Sequence, residues 1–162
     1  MNLIYYQWIE SPVGRLKLVA EEDALVAILF AQEDPKRVRL GPLLREVSGH
    51  PVLTETERQL GEYFRRERTH FTLKLNPAGT AFQRQVWQAL LTIPYGETRS
   101  YTEMAGQIGR PRAVRAMGAA NGRNPISIVI PCHRVIGASG DLTGFAGGIA
   151  AKHYLLTLEN RA

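Results

Sequence analysis

A chain of 162 residues with 44% hydrophobic and 22% charged side chains can bury a sizeable core without metal or disulfide staples. Its single cysteine excludes an intrachain disulfide and argues against a thiolate-rich zinc site; a free thiol suits a reducing compartment such as the cytoplasm. The formal net charge of +5 sits in the second half: residues 1–79 carry 11 basic and 11 acidic side chains, residues 80–162 carry 9 and 4.

The opening "MNLIYYQWIESPVG" lacks the basic start of a signal peptide, and no apolar run approaches a membrane span. It reads instead as the first part of a β-meander. "NLIYYQWI", "RLKLVA" and "ALVAILF" are strands, separated by the turns "SPVG" and "EED". Residues 31–50 are polar, proline-marked and without period, which predicts loop. "LTETERQLGEYFRRE" has a helical stripe through Leu60, Tyr63 and Phe64, with Thr54 and Glu57 spaced as a capping box. "HFTLKL" alternates like a further strand, and "NPAG" (76–79) marks a boundary.

Beyond it the pattern turns helical. Thr80 and Gln83 form a second capping-box pattern, before an apolar stripe of Phe82, Val86, Trp87, Leu90 and Leu91. Ser100 and Glu103 open "YTEMAGQI", which ends at Gly109. Pro111 suits the first turn of "RAVRAMGAA", which Asn121-Gly122 terminates. Two short helices joined at a glycine, the second one basic, make a helix-turn-helix pattern. "NPISIVI" reads as an extended run into "PCHRV". A Gly-rich loop, "GASGDLTGFAGG", precedes a last helix from about Ile149 to Glu159. The fold expected is α/β in the α+β sense. A β-rich N-terminal domain, residues 1–78, holds a three-stranded antiparallel meander plus helices. A mainly helical C-terminal domain, residues 79–162, carries the helix-turn-helix.

Two features of the second half suggest chemistry. Between Arg110 and Arg134 there are five arginines and no acid, the footprint of a polyanion partner or a solvated basic surface. The second helix surrounds Arg115 with Ala113, Ala116, Gly118, Ala119 and Ala120. Such a face either packs tightly on another helix or lies close to DNA. It carries none of the side chains that read the major groove and fits the minor groove better, with Arg115 able to fill the place of a displaced base. Cys132 is either a small core residue or a nucleophile. Pro131 and the Gly-rich loop put it in a constrained turn, His133 beside it could take its proton, and Glu159 could orient the imidazole. Adjacent residues of a strand face opposite ways, so a Cys–His pair needs a turn or an intervening water. A packed thiol in a DNA-binding protein and a cysteine hydrolase remain alternatives at this level.

The stretch "NPISIVIPCHRVIGASG" with "TGFAGG" resembles the signature of the O6-alkylguanine-DNA alkyltransferases (methylated-DNA–protein-cysteine methyltransferases). The likeness extends through "FQRQVWQALLTIPYGETRSYTEMA", "RAVRAMGAANGRNP" and "KHYLLTLE", nearly all of residues 80–162; Asn124, eight residues before the thiol, is part of it. The resemblance implies DNA repair without turnover, in which Cys132 accepts the alkyl group of O6-alkylguanine in flipped-out duplex DNA; activity on O4-alkylthymine is left open. It implies His133 as a base acting through water and Glu159 as its holder. Asn124 would bridge the helix-turn-helix to the active turn, and Tyr101 would help protonate the leaving guanine. Tyr101, Thr102, Arg110, Arg115 and Ala116 would meet DNA through its minor groove, with Arg115 as the finger replacing the flipped nucleotide. Val135, Phe145 and Ala146 would line the base pocket, where some members carry a serine at the position of Ala146. Lys152 falls at a shared position without an assigned role. No cofactor, metal or membrane is implied; the protein would act as a cytoplasmic monomer, with cooperativity on DNA left open.

Overall fold

Branched and aromatic residues alternate through the first thirty positions, and the computed structural model, which describes residues 3–142 and 144–160, forms the expected meander from them. Strands β1 (Ile4–Ile9), β2 (Leu16–Glu21) and β3 (Ala24–Phe30) pair antiparallel in chain order. Asn2, expected to begin β1, lies outside the described residues, as does Thr143 of the Gly-rich loop. A fourth strand, β4 (Leu44–Glu46), adds in parallel to β1 and gives the order β3-β2-β1-β4. It falls where only loop was expected: three residues at a sheet edge are too few to show a period.

Helix α1 (Pro51–Phe64) begins three residues before the expected cap at Thr54. His50 is the cap: its Nδ1 accepts from the Val52 amide at 3.1 Å, and Pro51 occupies the first turn, where it forfeits no hydrogen bond. "HFTLKL" is extended but is not a strand. Only Leu75 bridges to Leu25, and the backbone of Thr72 is satisfied by a side chain instead. Buried Gln59 accepts from the Thr72 amide at 2.9 Å and donates to its carbonyl at 3.3 Å.

Both later capping boxes form. Thr80 and Gln83 exchange bonds of 3.0 and 3.1 Å at the start of α2 (Ala81–Leu90). Ser100 and Glu103 do the same, at 2.9 and 3.0 Å, for α3 (Tyr101–Gln107). Val86, Trp87 and Leu90 are buried as the stripe requires, but Leu91, the residue that caps α2, is exposed. Helix α4 spans Val114–Gly122, so Pro111 sits in the preceding turn rather than in the helix. "NPISIVI" is a series of tight turns, not an extended run, for reasons set by Asn124. A two-residue parallel pair, β5 (Arg99–Ser100) with β6 (Val135–Ile136), and α5 (Ile149–Glu159) complete the chain.

One apolar cluster runs through both halves. Leu16, Leu18, Leu25 and Ile28 of the sheet and Leu53, Leu60 and Tyr63 of α1 pack in the same core as Val86, Trp87, Met104, Met117, Ile130 and Leu155. The Ile28 amide donates to the Pro125 carbonyl at 2.9 Å, so β3 is hydrogen-bonded to the segment leading to Cys132. Among the described residues no helix is long and apolar enough to cross a membrane.

Candidate active site and nucleic-acid interface

Asn124 shapes the turns before the thiol. Fully buried, it accepts from the Ile126 amide at 3.0 Å and donates to the Ile130 carbonyl at 2.8 Å, closing the apolar segment on itself. This local side-chain bonding competes successfully with strand pairing. Within the closed segment, Ile128 adopts φ of 75°, a costly conformation for a β-branched residue that the surrounding contacts must hold. The chain then enters a single 3-10 turn, Cys132–Arg134. Successive side chains of such a turn are about a third of a revolution apart, so Cys132 and His133 leave the turn in different directions.

Behind the turn lies a buried polar network. His133 and Glu159 join through Nε2 and Oε2 at 2.7 Å, both essentially inaccessible to solvent. Arg134 donates from Nε to Oε1 of Glu159 at 2.7 Å and from Nη2 to Oε2 at 3.1 Å, a bidentate grip, and from Nη1 to the Ile93 carbonyl at 2.7 Å. Tyr63, reaching across from α1, donates its hydroxyl to Oε2 at 2.5 Å. Gly96 lies against the Glu159 carbonyl with φ of 82°; a Cβ there would come within 3.1 Å of that oxygen.

The charges follow from this packing. Burial pushes the Glu159 carboxyl upward, but hydrogen bonds and positive charge from His133 and Arg134 outweigh it and hold the group at about 2. Burial drives His133 below the usual imidazole value, against the pull of Glu159. Arg134 therefore neutralises the carboxylate while the imidazole stays uncharged at neutral pH. A neutral imidazole facing a carboxylate carries its proton on Nε2, so Nδ1 is the basic atom; it is buried, with no hydrogen-bond partner among the described residues. Burial also raises Cys132 above the ordinary thiol value, although a hydrogen bond from Asn124 and the charges of Arg37 and Lys152 oppose it. The resting pair is a neutral thiol and a neutral imidazole.

The expected pocket residues surround this turn. Val135 is buried, and its carbonyl accepts from Lys152 Nζ at 2.7 Å. The Phe145 ring stands edge-on to His133 at 6.5 Å and to Phe30 at 5.3 Å. Ala146 is half-buried beside it, and Gly147 lies so close to Phe30 that a Cβ would come within 2.7 Å of its ring.

The helix-turn-helix lies against the same turn. Asn121, at the end of α4, reaches the Cys132 carbonyl with Nδ2 at 3.5 Å, and Trp87 Nε1 holds the Ala120 carbonyl at 2.9 Å. Met117 and Ala120 face the core, whereas Arg115, Ala116, Ala119 and Gly122 form an exposed face. The first turn of α4 contains no acid and no side-chain cap. Tyr101 opens α3 half-buried against Gly118, and Thr102 beside it is exposed. Arg110, exposed between the helices, places its guanidinium 5.6 Å from the Phe82 ring centre.

Cys132, His133, Glu159 and Asn124 are thus gathered around one turn, and Arg110, Arg115, Ala116 and Thr102 are exposed on the helix-turn-helix. Sequence reasoning missed Tyr63, Arg134 and Arg37. Arg134 had a signal, its place directly after Cys-His. Arg37 donates to the carbonyls of Gly122 and Asn124 at 3.1 and 2.7 Å and is held by Glu33 at 2.8 Å; neither it nor Tyr63 had a local one.

A family model described as 6-O-methylguanine DNA methyltransferase, DNA binding domain, matches residues 81–161, and its ribonuclease-like domain matches residues 4–77. A methylated-DNA–protein-cysteine methyltransferase of Mycobacterium tuberculosis is 50% identical over 97% of this chain and 93% of its own. The constitutive enzyme of that name from Bacillus subtilis is 46% identical over 96% of this chain and 94% of its own. The crystal structure of M. tuberculosis OGT in complex with DNA superimposes with a TM-score of 0.89 at 47% identity, over 96% of this chain and 92% of that one. The chain therefore belongs to the 6-O-methylguanine DNA methyltransferase family.

Proposed function

We infer that this protein repairs DNA by taking the alkyl group of O6-alkylguanine onto Cys132, once per molecule. The observation that carries the reading is the 2.7 Å His133–Glu159 contact at the residue after the thiol, which leaves Nδ1 of a neutral imidazole as the proton acceptor. The duplex is met from its minor groove by the exposed face of α4, with Thr102 and Arg110 beside it. Arg115 fills the gap left by the flipped base, and Ala116 permits close approach. The base enters between Val135, Phe145 and Ala146.

The chemistry then follows. His133 Nδ1 takes the Cys132 proton through a water, and Glu159, already neutralised by Arg134, holds the imidazole as it becomes cationic. The sulfur attacks the alkyl carbon in line, the carbon–O6 bond breaks, and its electron pair returns to the guanine ring. Tyr101 assists protonation of the leaving base. The thioether offers no carbonyl for water to attack, so the protein is spent. Asn124 ties α4 to the turn, so that docking on DNA and placing the thiol are one mechanical unit. The same reading divides the chain into a supporting domain, 1–78, and an acceptor domain, 79–162, acting as a monomer in the reducing cytoplasm.

Incubation with a duplex carrying O6-methylguanine, followed by intact and peptide mass measurement, tests this. One methyl group on the Cys132 peptide is expected, with product equal to protein. An unchanged mass despite tight DNA binding would mean a packed thiol, and repeated turnover of an ester or amide would mean a hydrolase.

A further inference from the structure

One cavity lies away from the thiol. It is a basin of about 600 Å³ between the sheet, the 37–41 segment and the start of α2, lined by Arg37, Arg39, Arg84 and Arg123 against one carboxylate, Glu21. Arg37 is spent on Glu33 and on the carbonyls of Gly122 and Asn124. Arg39, Arg84 and Arg123 are exposed, and among the described residues none of them forms an ion pair. Like charges gathered around one concavity repel, and Arg84 sits in the first turn of α2, the helix end that disfavours a cation. An anion bound there would offset that repulsion.

Its position says which anion. Arg123 follows directly on α4, so the basin begins where the helix-turn-helix surface ends. Arg37 fixes its own segment to Gly122 and Asn124, so Arg39, two residues further, is mounted on the end of the same helix. We propose that Arg39, Arg84 and Arg123 hold phosphates of the DNA backbone flanking the lesion, extending the DNA track from the helix-turn-helix onto the N-terminal half. Guanidinium groups suit this because each can grip a phosphate with two parallel donors. Such contacts set register on the duplex and carry no sequence information. The proposal rests on the DNA-repair reading.

The test compares wild type, Arg39→Gln/Arg84→Gln and Arg39→Lys/Arg84→Lys on a duplex of about 24 base pairs over a range of salt. Each lost phosphate contact should lower the slope of log affinity against log salt by ~0.9, so the Gln pair should lose about 2 and the Lys pair much less. Alkyl transfer from a free O6-alkylguanine base should be unchanged in both. An unchanged slope in the Gln pair, with wild type binding normally, overturns the basin alone. Equal damage in the Lys pair, or slowed reaction with the free base, also overturns it. A wild type that binds no duplex overturns the repair reading and the basin together.

Discussion

The two groups of charge in this molecule are managed in opposite ways. Behind Cys132, every charged atom is buried and matched: Glu159 receives donors from Arg134, His133 and Tyr63. On α4 and around the basin, Arg115, Arg39, Arg84 and Arg123 stand in solvent, and among the described residues none of them forms an ion pair. Buried charge is tolerated only when paired, and once paired it fixes geometry. Exposed charge fixes little in the free protein but attracts a polyanion. The inner set should therefore control proton movement and stability, and the outer set affinity and its salt dependence.

The sharpest break between the two comes from the thiol itself. Cys132→Ala should abolish alkyl transfer completely, read by peptide mass, while duplex affinity and its salt slope remain as in wild type. Loss of binding as well would give Cys132 a structural part in the DNA face.

Removing the central cation of the inner set comes next. Arg134→Met leaves Glu159 charged and buried with only neutral donors. Breaking a buried pair in this way costs ~3–5 kcal/mol, visible in chemical denaturation. The uncompensated carboxylate should also pull a proton onto His133, so transfer fails at neutral pH and recovers as pH rises. A loss of stability without a shifted pH profile would mean that Arg134 merely holds α5 in place.

That network was only partly legible in the sequence. The capping boxes at Thr80 and Ser100 could be read because their chemistry is local, three residues from cap to partner. Cys132 and His133 are neighbours, and Glu159 stood out as an acid at the wrong end of a helix. Tyr63 was read only as one face of a helix. Its hydroxyl meets Glu159 across 96 positions of sequence, a distance no periodicity encodes. The extended segment at 70–75 misled for a similar reason: Gln59 supplies the bonds that a neighbouring strand would have supplied. In "NPISIVI" the branched residues favour a strand, but Asn124 closes the segment into turns and carries Ile128 into the left-handed region.

Tyr63 gives the smallest and most discriminating effect. Tyr63→Phe keeps the ring and removes one donor to a carboxylate, worth ~1.5–3 kcal/mol of stability. Glu159 must then draw more strongly on His133, so the imidazole becomes easier to protonate. Burial holds the wild-type imidazole below its ordinary value. The folded protein therefore binds that proton less readily than the unfolded chain. This contribution to stability is complete above pH ~6.5 and is lost as pH falls below it. The rate of transfer from a free O6-alkylguanine base should follow the same group: level near neutrality and falling in acid as Nδ1 takes a proton from solvent. In Tyr63→Phe the acid limb should move to higher pH, with the rate above it little changed. A variant that melts earlier but keeps the wild-type limb would reduce Tyr63 to packing. A shifted limb makes it a positioning residue, through which the N-terminal half acts on the proton acceptor of the C-terminal half.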